Sequence, residues 1–502
     1  MNKIGKINRS DHIYALKIKT ESNSLGLLKT MIVLCLIFSQ AAFLILSYIY
    51  FMGVFQWYAI VSIVLTLIAC FHVLSSEYNG QAKATWVLFL LFCFGFGYVF
   101  YIMSEKHVLF ARSKKKYNKI FKQRAGLIKK NNISDTKAQS IANYLYEMGE
   151  FAAYEDSKCR YFPSGASLYD EMLEDLKRAK HFIFIEYYIV ANGVLLERFL
   201  QILSKKVAEG VDVRMIYDDM GSHGTLKRKT KKRIRRLGIK LVDFNRMVPI
   251  FNIALNLRDH RKIVVIDGKV AYTGGANLAD EYVNEKRVHG YWKDSAVKIE
   301  GPAVDNLTIA FLTQWQFITN VDEDYSQFLN KAEKFDSAGV LIPFVTGPNY
   351  STSIAQNVFS NIIMQAKEKL FIMTPYFVPD ETTLNLLINR AKSGVDVRII
   401  LPEIADKNFV YIVSRNNAEK LLKHGVKIYT MSCSFVHSKV VYSENMALVG
   451  SINFDLRSFY QQFEGGVVTT QESVIEQIAD DFTLPSTSID IRQSSSRSSS
   501  PE

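Results

Sequence analysis

Three long apolar stretches follow one another near the start of the chain, at residues 31–51, 57–74 and 84–103. Each is close to the roughly 20 residues that a helix needs to cross the hydrocarbon core of a membrane. Helices that are apolar on every face need a large core to cover them, and a soluble protein of this length does not provide one for three in series. The pattern predicts a helical membrane region over residues 31–104, after an N-terminal tail at 1–30. Because the second stretch is the shortest, the number of crossings stays open between two and three.

After residue 150 the pattern changes to short apolar runs that alternate with helix-like segments, and this pattern is repeated. Gly210-Val-Asp-Val-Arg214 recurs as Gly394-Val-Asp-Val-Arg398, and the apolar run at 182–190 has a counterpart at 370–378. Such runs are typical of buried strands, and strands that alternate with helices indicate sheets covered by helices. We predict an α/β fold of two repeats, 151–335 and 336–484, with mixed, largely parallel sheets. The active site is expected between the repeats.

Each repeat contains one His-x-Lys segment at the start of a strand, His260-Arg-Lys262 in the first and His437-Ser-Lys439 in the second. Side chains two apart on a strand project to the same face, so each histidine is expected beside its own lysine. One such segment is a common accident, whereas two at matched places in a repeat are not. A neutral imidazole can attack phosphorus, and a protonated one can give a leaving oxygen its proton. With lysines to hold the other oxygens, this set of residues predicts chemistry at a phosphoryl centre.

Each repeat continues from its His-Lys segment into a strand, a turn and a small-residue stretch that ends in asparagine. The turns contain Asp267 and Glu444, and the asparagines are Asn277 and Asn453. We predict that the two amides bind phosphoryl oxygens of the substrate. Asp267 and Glu444 are grouped with the catalytic residues. Glu444 is expected to act by supporting its hairpin through local hydrogen bonds, with Asn445 in the left-handed conformation.

The predicted chemistry requires no metal ion and no other cofactor. Neither His-Lys segment is surrounded by the carboxylates that Mg²⁺ or Ca²⁺ would require. The five cysteines do not have metal-ligand spacing. One further carboxylate, Glu186, stands in an apolar run that is expected to border the site, where burial without a role would be costly. We predict that Glu186 binds substrate.

The charge balance, 61 Lys and Arg against 49 Asp and Glu, indicates an anionic partner. Ten of the basic residues lie in 105–130, a juxtamembrane part of the predicted linker 105–150. The positive-inside rule places this segment and the repeats in the cytoplasm. Residues 227–236 hold eight basic residues, which suit a solvated helix face, a surface for anionic headgroups or a nucleic-acid site. The apolar region favours anionic membrane lipids, and we predict no nucleic-acid partner.

The paired segments resemble the two H-x-K-x4-D motifs of the phospholipase D superfamily. Four further stretches resemble bacterial cardiolipin synthases: Tyr161-Phe-Pro-Ser-Gly165, Ile185-Glu-Tyr-Tyr188, Thr273-Gly-Gly275 and Thr374-Pro-Tyr-Phe-Val-Pro379. The chain departs from the family pattern in its second motif, where Glu444 stands at the aspartate position and the hairpin is one residue shorter. The tail at 485–502 reads as disordered and does not have the amphipathic segment that the family leads us to expect.

The resemblance implies two phospholipase D-like repeats and a two-step transfer through a phosphohistidine. A phosphatidyl group would pass from one phosphatidylglycerol to another, which forms cardiolipin and releases glycerol. The family pattern assigns the nucleophile to His260 and the acid–base role to His437. It also implies that Asp294 and Glu464 orient the histidines. The protein would then be a multi-pass integral protein of the bacterial cell membrane.

Other functions remain open on the sequence alone. Transfer to water or to another alcohol is the closest alternative, and it would make the chain a membrane phospholipase D or a phosphatidyltransferase with a different acceptor. A catalytically silent membrane scaffold is the alternative that is not an enzyme, and the two intact His-Lys pairs argue against it. The acyl-chain preference and the oligomeric state cannot be read from the sequence.

Overall fold

The computed structural model describes residues 52–76, 80–93, 97–104, 107–246 and 257–483, with a few isolated positions between 38 and 49. The chain divides into two compact units, Met1–Glu105 and Lys106–Glu502. The predicted N-terminal tail, most of the first apolar stretch and all of the predicted C-terminal tail lie outside the described residues.

From residue 52 onward, the described part of the first unit contains three helices: α1 (Met52–Ser75), α2 (Gly80–Phe92) and α3 (Gly97–Ser104). Within the described residues, one helix is long and apolar enough to cross a membrane, over Gln56–Ser75 of α1. Large apolar side chains on this helix stay exposed, with Trp57 at 72% and Phe71 at 74%. Such apolar surface is costly in water and is suited to a lipid surrounding.

The described residues of the third apolar stretch belong to two helices. Its residues are divided between α2, which has 13 residues, and α3, which has 8. At about 1.5 Å per residue these helices are about 20 Å and 12 Å long. Each is therefore shorter than the about 30 Å of a hydrocarbon core.

The second unit contains all the described strands. Those of its first half are β1 (Lys158–Phe162), β2 (Phe182–Tyr187), β3 (Asp212–Asp218), β4 (Lys240–Phe244), β5 (Arg258–Asp259), β6 (Lys262–Ile266), β7 (Val270–Gly274), β8 (Tyr291–Lys293) and β9 (Ala296–Glu300). Those of its second half are β10 (Leu341–Thr346), β11 (Lys369–Met373), β12 (Phe377–Val378), β13 (Asp396–Pro402), β14 (Lys427–Met431), β15 (Ser434–Val436), β16 (Val440–Ser443), β17 (Ala447–Gly450), β18 (Phe454–Asp455) and β19 (Gln462–Thr469).

The helices of the second unit cover these strands. They are α4 (His107–Arg124), α5 (Gln139–Gly149), α6 (Gly165–Arg178), α7 (Val194–Ala208), α8 (Arg228–Arg236), α9 (Val304–Thr319), α10 (Ile354–Gln365), α11 (Glu381–Lys392), α12 (Asn408–Leu422), α13 (Leu456–Tyr460) and α14 (Glu472–Thr483). Side-chain caps fix where several of them begin. Ser164 accepts the Ser167 N–H at the start of α6, Ser353 accepts that of Gln356 at α10, and Asp380 accepts that of Thr383 at α11.

Each half builds a main sheet of seven strands, and the two sheets have the same topology. The first has the order β1-β9-β7-β6-β2-β3-β4, and the second has β10-β19-β17-β16-β11-β13-β14. Every position in one order has its counterpart in the other. The internal repeat that the sequence contains is therefore also a repeat of structure.

The prediction that these sheets are largely parallel is wrong. In the first sheet only β2 with β3 and β3 with β4 are parallel, and the second sheet has its counterparts in β11 with β13 and β13 with β14. The other neighbours in both sheets are antiparallel. Helical crossovers such as α7 produce the parallel pairs, whereas a tight turn between β6 and β7 requires an antiparallel pair.

Helix α9 lies at the centre of the unit. Its residues from Val304 to Gln316 are buried. It packs on β2 and β6 of the first sheet and on β10 of the second. A helix enclosed by both sheets joins the two halves into one core, and its polar side chains must find partners inside that core.

Two short parallel pairings also join the halves. Strand β5 pairs with β19, with Asp259 opposite Phe463. Strand β8 pairs with β15, with Lys293 opposite Val436. In each case a strand that ends beside a site residue of one half is paired with a strand of the other half.

Candidate active site

Both His-Lys pairs are buried in the second unit. The exposed fractions are 7% for His260, 3% for Lys262, 6% for His437 and 3% for Lys439. Lys262 Nζ donates a hydrogen bond to the carbonyl of His260 at 2.5 Å, and Lys439 Nζ donates to the carbonyl of His437. Each lysine is therefore held beside the histidine two positions before it, as the strand period requires.

Each histidine is paired with a carboxylate from the other half. His260 Nδ1 is 2.9 Å from Glu464 Oε2, and His437 Nδ1 is 2.7 Å from Asp294 Oδ2. The short parallel pairings produce this crossing. The N–H of His260 donates to the carbonyl of Phe463 at 2.8 Å, and that of His437 donates to the carbonyl of Lys293 at 2.7 Å. The residues that follow these carbonyls are Glu464 and Asp294.

The crossed pairs determine which ring nitrogen is available for chemistry. An ionised carboxylate can only accept, so Nδ1 of His437 carries the proton and donates it to Asp294, and Nδ1 of His260 does the same when Glu464 is ionised. Nε2 is then the nitrogen with a free lone pair in the neutral ring. Lys439 Nζ also lies 2.8 Å from Nδ1 of His437. It cannot donate to that atom, because Nδ1 already carries the proton that it donates to Asp294. The backbone carbonyl of His437 is the acceptor that remains for this lysine.

The charged groups of the two halves act on one another. Burial, with the positive charges of Lys262 and Lys439, lowers the pKa of His260 well below its ordinary value. Burial and Lys439 lower the pKa of His437 to about 3, although Asp294 acts in the opposite direction. Both rings are therefore neutral in the free site near pH 7. A bound phosphate anion would favour a proton on one of them.

The two lysines are unusually ready to lose their charge. Burial lowers the pKa of Lys262 to about 8, and burial together with Lys262 lowers that of Lys439 to about 7. Two ammonium groups in one buried site disfavour each other unless an anion lies between them. The site therefore gains positive charge when it binds an anion.

The orienting carboxylates differ in charge. Burial raises the pKa of Asp294, but His437 and Lys439 more than offset this and hold it below its ordinary value. Burial raises the pKa of Glu464 to about 8. Asp294 is therefore an anion near pH 7, whereas Glu464 is largely protonated in the free site. The partner of His437 stabilises an imidazolium more strongly than the partner of His260 does.

The two asparagines have different partners. Asn277 uses its amide within the protein, since Nδ2 donates to Tyr282 Oη at 2.6 Å and Oδ1 accepts the N–H of Ile189 at 3.0 Å. The Oδ1 atom of Asn453 is buried and has no hydrogen-bond partner among the described residues. A role in substrate binding fits Asn453 better than Asn277, whose contacts hold the loop after β7 in place.

The structure places Glu186 away from the His-Lys pairs, which corrects its assignment to substrate binding. Glu186 lies opposite Ile263 in the antiparallel pair of β2 and β6, so it shares a face with Ile263 and not with Lys262. Its Oε1 forms an ion pair with Arg261 Nη2 at 2.8 Å. The same arginine contacts Asp259 through its Nε at 3.0 Å. Glu186 therefore belongs to a buried charge cluster behind β6.

Asp267 and Glu444 lie at the far ends of β6 and β16 and have matching contacts. Asp267 accepts the backbone N–H groups of residues 180, 181 and 182 at 2.7, 2.7 and 2.8 Å. Glu444 accepts those of residues 367, 368 and 369 at 2.8, 3.4 and 3.2 Å. In both halves the carboxylate fixes the chain where the next central strand, β2 or β11, begins. These contacts are structural: they join the turn after β6 to the start of β2, and the turn after β16 to the start of β11.

The expected left-handed conformation of Asn445 is wrong. In the first hairpin Asp267 and Gly268 have φ of 53° and 65°, whereas Asn445 is not among the residues with positive φ. The second hairpin closes one residue sooner, because the N–H of Ser443 donates to the carbonyl of Met446 at 2.8 Å. The shorter turn needs no left-handed residue, which is why it tolerates a sequence without glycine.

Several residues at the site were not predicted. Tyr188 lies over His260 with ring centroids 4.8 Å apart, and Trp292 and Tyr282 lie 5.2 and 5.4 Å from the ring of His437. Ser451 Oγ donates to the Oε2 atom of Glu464. Tyr188 stands in the family-like stretch Ile185–Tyr188, so its position there was a usable signal, whereas nothing local distinguishes Ser451.

Comparison with known proteins places the site in a family. A family model described as "Cardiolipin synthase, PLD-like domain" matches residues 172–304 and 359–484, which contain both His-Lys pairs and both orienting carboxylates. Cardiolipin synthase 1 of Staphylococcus aureus is 31% identical over 438 residues, which cover 83% of this chain and 88% of that protein. A Streptococcus mutans protein is 37% identical over 420 residues, which cover 82% of this chain and 91% of that protein.

A solved structure shows the same fold at a greater distance. The crystal structure of phosphatidylserine synthase from Haemophilus influenzae matches with a TM-score of 0.54 and 15% sequence identity. The match covers 69% of this chain and 90% of that one. At this identity the likeness concerns the fold alone.

The contacts of Asp267 and Glu444 predict a loss of stability without a comparable loss of chemistry. We expect Asp267→Ala to lower the free energy of unfolding by about 2 kcal/mol, because three backbone N–H groups lose their carboxylate acceptor. Glu444→Ala has longer bonds and a more exposed carboxylate, so about 1 kcal/mol is expected. Urea unfolding in detergent, followed by tryptophan fluorescence, measures both. Turnover as low as that of His437→Ala in a folded Glu444→Ala protein would contradict this account.

The lysine pKa values predict that anion binding weakens as the pH rises. Sulfate remains a dianion between pH 6 and 9, so a change in its affinity over this range reports on the protein. Above about pH 7 Lys439 becomes neutral, and above about pH 8 Lys262 does. We expect the affinity for sulfate to fall through this range and binding at pH 8 to take up protons. Calorimetry of the detergent-solubilised protein in two buffers of different ionisation enthalpy measures both, and an affinity independent of pH would refute the assignment.

Proposed function

Since the chain belongs to the cardiolipin synthase family of the phospholipase D superfamily, we propose that it transfers a phosphatidyl group from one phosphatidylglycerol to a second. The observation that carries this proposal is the crossed arrangement of the site. Two histidines, each with its own lysine and each held through Nδ1 by a carboxylate of the other half, supply one nucleophile and one acid–base group.

In the first step, His260 Nε2 attacks phosphorus and a phosphorus–nitrogen bond forms. The bond from phosphorus to the glycerol oxygen breaks. His437, which is an imidazolium in the complex with the anionic substrate, gives that oxygen the proton of its Nε2, and this releases glycerol. In the second step, a glycerol hydroxyl of another phosphatidylglycerol gives its proton to His437 as its oxygen attacks phosphorus. The phosphorus–nitrogen bond breaks, and cardiolipin leaves with His260 restored. Lys262 and Lys439 stabilise the negative oxygens in both steps.

The different charges of the carboxylates support this division of roles. An acid–base histidine must become an imidazolium during the cycle, and Asp294 is an anion placed to stabilise that form of His437. A nucleophilic histidine must be neutral when it attacks. Burial and two lysines keep His260 neutral, and its carboxylate partner Glu464 is largely protonated in the free site. The same direction of assignment follows from the family pattern.

We place this activity at the bacterial cell membrane, in a multi-pass protein whose basic segment and repeats face the cytoplasm. The apolar unit and the ten basic residues in 105–130 support that orientation. On this proposal residues 31–104 form the membrane region, and 151–335 and 336–484 form the two catalytic repeats. Residues 105–150 supply α4 and α5, which contribute buried side chains to the second unit. The substrate is then an anionic lipid of the membrane that holds the enzyme.

Phosphatidylglycerol alone should be a sufficient substrate. We expect purified protein in mixed micelles to form cardiolipin and glycerol in equal amounts from labelled phosphatidylglycerol, with EDTA present. The double variant His260→Ala/His437→Ala serves as the inactive control. Phosphatidic acid as the only lipid product would make the protein a hydrolase, and loss of activity on chelation would exclude a reaction without a metal.

The two histidines should fail in different ways. His260→Ala should form no covalent phosphatidyl-enzyme, because the attacking nitrogen is absent. His437→Ala should lower kcat by about 10³-fold or more, since both steps lose their proton transfer. With a nitrophenyl phosphodiester, whose leaving group needs no proton, His437→Ala should still accumulate an adduct on His260. Mass spectrometry of quenched reactions locates the adduct, and wild-type adduct on His437 would reverse the two roles.

A further inference from the structure

Helix α4 follows the apolar unit in the chain and is docked on the core of the catalytic unit. Its residues Tyr117, Ile120 and Arg124 are buried, at 4%, 4% and 6% exposure. Lys116 Nζ donates to the carbonyl of Phe317 at the end of α9. The ring of Tyr117 stacks on that of Phe317 with centroids 4.0 Å apart. A segment as basic as this one would be solvated if it were a linker, and its buried face requires another explanation.

The hydroxyl of Tyr117 begins a hydrogen-bonded path to the residue before His260. It donates to Gln314 Oε1 on α9, and Gln314 Nε2 donates to Asp259 Oδ2 at 3.0 Å. Asp259 also accepts Nε and Nη2 of Arg261 at 3.0 and 3.1 Å. The charged groups on both sides of His260 in the sequence are therefore held from behind the sheet. Since all of them are buried, loss of one partner leaves a polar group without compensation.

The ring of Tyr117 contacts the strand that carries Glu464, the carboxylate partner of His260. It stacks on Phe463 with centroids 5.5 Å apart. The carbonyl of Phe463 accepts the N–H of His260 at 2.8 Å, and the next residue is Glu464, the partner of the imidazole. One tyrosine on α4 therefore supports both strands, β5 and β19, whose pairing brings His260 and Glu464 together.

We propose that Tyr117 is a positioning residue for the His260–Glu464 pair, which makes α4 a part of the machinery that aims the nucleophile. Tyr117 does not contact the phosphate on this account. It acts through Gln314 and Asp259 on one strand and through Phe463 on the other. The proposal rests on the proposed role of His260, and it concerns a helix that lies outside both family-matched ranges, 172–304 and 359–484.

The hydroxyl and the ring can be tested separately in the full-length protein. Tyr117→Phe keeps the stacking and removes the hydrogen bond, so we expect kcat for phosphatidylglycerol to fall about fivefold with KM unchanged within about twofold. Tyr117→Ala removes both contacts and should lower kcat further. The rate of adduct formation on His260, measured per folded molecule, should fall by the same factor as kcat.

Tyr325 offers a matched control, because its hydroxyl also bonds to a glutamine of α9. Its hydroxyl donates to Gln316 Oε1, two residues from Gln314, and Tyr325 is as buried as Tyr117, at 4% exposure. Gln316 leads to Gln123 and Asp322 instead of to Asp259. Tyr325→Phe should lower the thermal midpoint about as much as Tyr117→Phe and leave kcat unchanged. Equal losses of kcat in the two variants would overturn a positioning role in favour of general stability.

A double-variant cycle tests the path itself. In a Gln314→Leu background the path is already interrupted, so Tyr117→Phe should cause no further loss of kcat. Independent, multiplicative losses would show that Tyr117 does not act through Gln314. A substrate-free measurement separates this inference from the proposed function, namely the rate at which diethyl pyrocarbonate modifies each histidine. Tyr117→Phe should change the rate at His260 at least twofold and not that at His437. An unchanged rate at His260 would overturn the inference even if cardiolipin forms.

Discussion

The active site depends on the exchange of carboxylates between the two halves. Asp294 reaches His437 and Glu464 reaches His260 because β8 pairs with β15 and β5 pairs with β19. Each pairing places a histidine directly after the end of one short strand and a carboxylate beside it on the other. Neither half can orient its own histidine, so a single repeat would contain the chemical groups and still not form the site. The buried helix α9 holds the halves at the spacing that these pairings require.

Burial of so much positive charge gives the site its preference for anions. Two lysines and two histidines share a region from which water is largely excluded, and both histidines and both lysines have lowered pKa values there. A phosphodiester bound between these lysines and histidines supplies the negative charge that balances them. The same anion raises the affinity of the imidazoles and ammonium groups for protons. Substrate binding and readiness for acid–base chemistry are therefore one electrostatic event.

The sequence predicts the parts of the site that depend on short-range periods. The two-residue period of a strand places Lys262 beside His260, and the repeat itself indicates two such pairs. Register between distant strands cannot be read in this way. Whether Glu186 shares a face with Lys262 or with Arg261 depends on a shift of one residue between β2 and β6. The exchange of Asp294 and Glu464 was equally hidden, because a direct and a crossed arrangement have the same sequence pattern. The antiparallel majority in the sheets escaped prediction for a related reason, since apolar runs alone do not give strand direction.

The two halves have the same topology and different supports, and the difference agrees with the division of roles that we propose for the two histidines. Behind β6, Arg261 and its carboxylate partners form a buried cluster that is joined to α4 through Gln314. The equivalent residue in the second half is Ser438, which has no charge to compensate. In this half the support comes through β8, the strand that pairs with β15. Its Lys293 forms an ion pair with Asp481 of α14 at 2.6 Å. A nucleophile must keep its geometry while a covalent bond forms and breaks. An acid–base group needs a charged partner that stabilises its protonated form. The more extensively supported half is the one that holds His260.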